Sequence, residues 1–235
     1  GGPGALFHAA RNIHTLLPVL KDVEDLAPDA FVVNFTNPLP RLCRAMVEAS
    51  SLRIIGLCHQ LRFGYLVAGI ALSDELGIDI PDDYAFTWTD ESAANEVIIS
   101  HAAMERLRIH AAGLNHFTWM RDIRDRQSGE SLLERAKENL IHKVPKRHPG
   151  FEPLTRQLAA STGYIPVSGD THLCEYLPYT ARRHGWSRYA VQAYDHQWSE
   201  RCRQARRKEI AALAAGRGDL APLKSLPTER VEHLI

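Results

Sequence analysis

Three short stretches of this 235-residue chain carry residue types that do chemistry. In the first, Gly56-Leu57-Cys58-His59, a cysteine and a histidine stand side by side. A thiolate binds divalent transition metals, and an adjacent imidazole binds metal or works as a general acid or base. The second is Gly113-Leu114-Asn115-His116, a histidine set off by a glycine and an asparagine. The third, Gly163 to Tyr179, crowds Asp170, His172, Glu175 and tyrosines into one segment. Each stretch has a structural alternative. Cys58 can be a small hydrophobe beside a satisfied His59, His116 can occupy a plain turn, and Asp170 or Thr171 can cap a helix.

The elements that must position these residues follow from pattern. Phe31 to Phe35 is a β-branched and aromatic run that reads as a strand. Thr36-Asn37-Pro38 stops it, because proline lacks a ladder donor and biases the preceding residue away from helix. A helix over Leu39 to Ala49 leads to a second strand, Arg53 to Leu57. Cys58 and His59 then stand just past that strand's C-terminal end, the rim where open α/β sheets bind ligands. Upstream, Gly1 to Gly4 reads as loop and Leu6 to Leu26 as a helix interrupted near Pro18. Downstream, a helix over Leu61 to Leu76 ends at Gly77. Tyr84, Phe86 and Trp88 alternate as a short half-buried strand would. Glu91 to Arg108 is expected to be helix and Ile109 to Arg121 strand material kinked at Gly113. Further helices are expected over Glu130 to Ile141, Phe151 to Ala160, Leu173 to His184 and Gln192 to Ala215, with loops at His142 to Pro149 and Gly163 to His172. The fold class is α/β.

Composition narrows the function classes. Lys+Arg and Asp+Glu are both 28, so bulk charge gives no reason to expect a nucleic-acid or anionic-membrane partner. No apolar run is long enough to span a bilayer and no signal segment opens the chain, so a cytoplasmic protein is expected. Cys43, Cys58, Cys174 and Cys202 show no CxxC spacing and are expected to be reduced thiols.

Taken in order, the blocks GPGALFHAARNIHTLLPVLKDVEDLAPDAFVVNFTNP, GLCH, AGLNHFTWM and GDTHLCEYLPY resemble those of glycoside hydrolase family four. This is the family of NAD- and manganese-dependent α-galactosidases, α-glucosidases, α-galacturonidases and 6-phospho-glycosidases. The resemblance implies a partial Rossmann-like nucleotide domain over residues 1–60, followed by an α+β, lactate-dehydrogenase-like substrate and metal domain over 61–235. It implies NAD, Mn2+ or another divalent metal, a small glycoside as substrate, and a homo-oligomer. The chemistry implied is oxidation of the sugar at C3, removal of the C2 proton, elimination of the glycosidic oxygen, water addition and re-reduction. Residue by residue, Cys58 and His116 match the metal ligands and His59 the proton donor. Asn37 matches the substrate asparagine, with Asn34 and Asn37 at the cofactor. Asn115 would orient the sugar or the metal shell. The C2 base falls on Asp170, with Tyr164 and His172 as substitutes.

Two departures from the family pattern carry expectations of their own. The chain has no GxGxxG loop, so by resemblance it starts within the second half of the nucleotide domain and stops short of the family's last blocks. Cys58 and His116 are also farther apart than the family pattern leads one to expect, which an insertion at Ile80 to Ser100, carrying Trp88, would explain. Other functions compatible with the sequence are a non-catalytic remnant that keeps metal or sugar binding, and a 2-hydroxy-acid dehydrogenase. A thiolate–histidine metal pair is not what hydride transfer to a keto acid needs. Arg41, Arg44, Lys143, Arg182 and Arg183 are available to a phosphorylated sugar, or are solvated surface charge.

Overall fold

The computed structural model describes residues 2–87, 89–177, 180 and 196–217. The chain divides into two compact units, Gly1–His59 and Gln60–Ile235.

In the first unit, α1 (Gly2–Leu26) precedes a parallel pair, β1 (Phe31–Asn34) and β2 (Arg53–Gly56), joined through α2 (Leu39–Ala49). The expected loop at Gly1 to Gly4 is helix from Gly2 onward, since a proline in the first turn forfeits no helical hydrogen bond. Nor does Pro18 end α1. Leu16 and Leu17 before it and Leu20 and Val23 after it all pack into one cluster with Met46, Leu52, Val32 and Ile54, which holds both halves in place. Strand register runs from Phe31 opposite Arg53 to Asn34 opposite Gly56. A side chain at Gly56 is barred, because a Cβ there would lie 2.7 Å from the Cys43 Sγ. Phe31, Val33 and Ile55 are exposed.

The second unit is built on α3 (Gln60–Ala71), buried along nearly its whole length, with α4 (Ser73–Leu76) closing at the left-handed Gly77. Against α3 packs α5 (Asp90–Arg106), and the close approach uses Gly69, whose missing Cβ would meet the Ala103 and Ile99 side chains at 3.1 and 3.2 Å. The antiparallel hairpin of β3 (Leu107–Leu114) and β4 (Phe117–Asp125) follows. Where the pattern predicts one kinked strand, the chain reverses at Asn115-His116. Gly113 at φ +150 and His116 at φ +62 supply the backbone values that the reversal needs. Met120 and Ile123 point from β4 into the main core with Tyr65, Ile99, Leu140 and Phe151.

Short helices α6 (Leu133–His142), α7 (Val144–Arg147), α8 (Pro153–Thr162) and α9 (Asp170–Tyr176) complete the described core, and α10 (His196–Ala214) follows. α7 replaces part of an expected loop. Residues 84–87 form no strand: Tyr84 is buried beside Phe151 and Phe86 meets Phe63 edge-on, so side chains rather than a ladder fix this segment. Trp88 lies outside the described residues, as does most of the expected helix beyond Leu177, including Arg182 and Arg183. Among the described residues no helix is long and apolar enough to cross a membrane.

Candidate functional site

The first unit places its sequence-predicted residues along the C-terminal ends of β1 and β2. Asn37 is exposed, and its carboxamide oxygen accepts from the Leu39 N–H at 3.3 Å, at the entry to α2. Cys58 is half-buried and His59 exposed, both just past β2. No cysteine of the chain is in a disulfide. Asn34, expected at the cofactor, lies at the end of β1. It is 5% exposed, its oxygen accepts from the Thr36 N–H at 3.0 Å, and its amide donates to the Thr36 carbonyl at 3.3 Å and to the Cys43 Sγ at 3.5 Å. A side chain so bonded shapes the end of the strand.

The second unit brings the other two stretches together. His116 sits at the hairpin turn, where its own N–H donates to the Gln60 Oε1 at 2.7 Å, fixing a left-handed residue that would otherwise be costly. Its ring stacks on that of His172 from α9, with centroids 4.0 Å apart and planes 26° from parallel. Glu175, one turn further along α9, places Oε2 3.8 Å from the His172 Nδ1. The donor atoms of His116, His172 and Glu175 all lie within 4.8 Å of one another, a candidate divalent-cation site of two imidazoles and a carboxylate. Such a borderline nitrogen and oxygen donor set is chemically suited to Mn2+ as well as to Zn2+. Burial lowers the pKa of His116, which keeps it neutral and able to ligate, and the His172 imidazole beside Glu175 holds that carboxyl below its usual range.

Contacts next to the cluster hold α9 against the hairpin. Tyr176 donates through its hydroxyl to the Asn115 carbonyl at 3.0 Å, and its ring stacks on Phe117 at 5.5 Å. The base of α9 is anchored by two acids. Asp170, 4% exposed, accepts from the Leu154 N–H at 2.7 Å and from the Thr155 N–H and hydroxyl at 2.8 Å each, so it caps the neighbouring helix α8. Glu152, left-handed at φ +42, in turn accepts from the Asp170 N–H. The two helices thereby cap each other. Burial, and then the neighbouring Asp170, push the Glu152 pKa well above the carboxylate range. Burial raises Asp170 as well, against the hydrogen bonds that favour its charged form.

Asp170 is therefore not placed as the sequence expectation has it. Both of its oxygens are engaged by α8, so it holds α9 in position. Glu152 went unnoticed in sequence reasoning, because nothing local marks a Glu-Pro pair as the partner of an aspartate 18 residues later. Asn115 uses its backbone carbonyl to hold α9, and among the described residues its side-chain amide has no partner.

Residues 1–65 match the profile of the family 4 glycosyl hydrolases, and residues 111–230 match that of the family 4 glycosyl hydrolase C-terminal domain. The chain belongs to glycoside hydrolase family 4. Within this family 4 chain, neither profile covers residues 66–110, the stretch that includes Ile80 to Ser100. An α-galactosidase of Bacillus subtilis (strain 168) is 27% identical over 182 residues, covering 77% of this chain and 35% of that protein. An α-galacturonidase of the same organism is 24% identical over 193 residues, covering 75% and 37%. An α-glucosidase of Erwinia rhapontici is 29% identical over 131 residues, covering 55% and 23%. The chain spans about a third of the length of such relatives. In fold it is similar to a 6-phospho-α-glucosidase from gut microorganisms, solved in complex with NAD and Mn2+. The TM-score is 0.53 at 18% identity, over 90% of this chain and 44% of that one.

Proposed function

We propose that this family 4 chain supplies the metal and sugar site of a glycosidase that cleaves an α-glycoside, such as an α-galactoside, α-glucoside or α-galacturonide, by elimination rather than direct displacement. The observation that carries this reading is the convergence of His116, His172 and Glu175 in a chain of this family. His116, His172 and Glu175 would hold the divalent metal. Asn37, with its exposed carboxamide at a strand end, would contact NAD or the sugar. The chemistry that bound NAD and metal supply is reversible oxidation at C3 and polarisation of the C3 oxygen, which together make the C2 hydrogen acidic.

This chain's own groups do the rest. His116, neutral because it is half-buried, offers a lone pair at neutral pH. Glu175 stays ionised beside His172. Asn115 has a free side-chain amide to orient sugar hydroxyls. His59, exposed at its strand end, would give a proton to the leaving oxygen. Asp170 and Glu152 keep α9 in register, and with it two of the three metal donors.

The test is a manganese titration of the chain, followed by electron paramagnetic resonance. Saturable binding is expected, weakened at least tenfold in His116→Ala and in Glu175→Gln, with circular dichroism unchanged. Unaltered binding in both variants would remove the site. In the holoenzyme, exchange of the sugar C2 hydrogen with deuterated solvent should accompany turnover, and turnover without exchange would exclude the elimination route.

A further inference from the structure

Beyond the metal cluster, the outer face of the hairpin carries a second site. A groove of about 530 Å³ is lined by Ala112 of β3, Trp119 and Arg121 of β4, and Thr162 and Tyr164 at the end of α8. That size is within the range of small-molecule sites. Its construction is specific. Ala112 pairs directly across from Trp119, so a methyl group faces an indole and leaves the space beside the ring open. Trp119 also packs against Leu154, Leu158, Leu173 and Cys174, which fixes the indole. Across β4, the segment that carries Tyr164 runs antiparallel, with Met120 donating to the Ile165 carbonyl at 2.8 Å and Val167 to the Thr118 carbonyl at 2.9 Å.

Arg121 stands two residues after Trp119 on β4, so alternation puts both on the face of the groove. His110 pairs with Asp122 and Ala111 with Met120, so Arg121 is the extra residue of a β-bulge. The bulge leaves Arg121 with no residue opposite it in the ladder. Three polar groups in the groove have no partner among the described residues: the Arg121 guanidinium, the Tyr164 hydroxyl and the Trp119 indole N–H. A cation with no acid beside it, two aromatic faces and a hydroxyl are the chemistry that receives a sugar ring with a negative charge. At a strand rise of ~3.4 Å per residue, Trp119 lies three steps, about 10 Å, from His116 along the chain.

We propose that this groove is a subsite for a pyranose ring bearing an anionic substituent, a carboxylate or a phosphate, belonging to the glycoside cleaved in the function proposed above. The inference rests on that reading for the identity of the ligand, but not for its own test. Stacking on Trp119 and Tyr164 holds the ring, and Arg121 selects the charge. An acidic glycoside is therefore preferred to a neutral one of the same shape.

The experiment is calorimetric titration of the chain, stripped of metal and without NAD, with D-galacturonic acid, D-glucose 6-phosphate, methyl α-D-galactopyranoside and inorganic phosphate. One acidic sugar is expected to bind saturably and at least tenfold tighter than the neutral glycoside, and which of the two it is names the charged group. Arg121→Gln should erase that preference, and Trp119→Phe and Tyr164→Ala should weaken the sugar while circular dichroism stays unchanged. Equal binding of the neutral glycoside, equal binding of free phosphate, no binding of either sugar, or an Arg121→Gln variant that keeps the preference would each overturn the proposal. A failed manganese titration would instead remove the glycosidase reading and leave these results standing.

Discussion

At the scale of single residues, the site depends on protonation states set by burial. Depressed as it is, the pKa of His116 lies below the ordinary histidine value of about 6.5. A ligand must be neutral, so manganese affinity should be flat above that value and fall as pH drops through the depressed pKa, about tenfold per unit once His116 is mainly protonated. Titrations at a series of pH values read this directly, and affinity constant down to pH 4 would exclude His116 as a ligand. Glu152 runs the other way. Its folded pKa is raised, so the stability it contributes is complete below its ordinary value and is lost as pH rises through the raised one. Glu152→Gln keeps an acceptor for the Asp170 N–H and cannot ionise. Its Tm should match the parent within about 3 °C at pH 5 and exceed it at pH 8. Thermal melts at both values check this, and a variant destabilised equally at both would show that the proton on Glu152 does not matter.

At the scale of elements, the cation site is assembled where a hairpin turn meets one short helix. Gly113 is indispensable to the turn. At φ +150, a Cβ there would come within 2.5 Å of the Phe117 carbonyl oxygen and 2.7 Å of the Thr118 Cα, both backbone atoms that cannot yield. Gly113→Ala should cost on the order of 2 kcal/mol in urea unfolding and weaken manganese binding with it, since His116 lies three residues further on. Loss of stability with manganese affinity intact would mean that the turn does not position the ligand. α9 is fixed from both ends, by the reciprocal caps at Asp170 and by Tyr176 on the Asn115 carbonyl, and a helix of only seven residues needs that tertiary hold to form at all.

At the scale of the whole molecule, the two units have separate cores, one around Leu20, Met46 and Leu52, the other around α3 and β4. Met46→Ala should therefore destabilise the first unit by about 2–4 kcal/mol while manganese binding through His116, His172 and Glu175 is retained. Separate probes of unfolding and of metal binding on this variant test the division, and a parallel loss of both would show that the units are one cooperative body. The part of this chain that aligns covers 35% of the α-galactosidase and 37% of the α-galacturonidase, and metal and sugar binding are properties that this chain can be asked to show alone.

By itself the sequence determined the strand–helix–strand unit of β1, α2 and β2, because β-branched runs, a proline stop and an amphipathic helix are local signals, and it determined the family through block spelling. It also singled out His116, and placed His172 and Glu175 in one segment, since their chemical types stand out wherever they fall. Only the tertiary structure decided that these three converge, that the chain reverses at Asn115-His116, and that Asp170 and Asn34 are tied by hydrogen bonds into the fold. Sequence reads which donors exist. Which of them already accept from a backbone amide 15 residues away, as Asp170 does, depends on distances that arise only when separate elements pack.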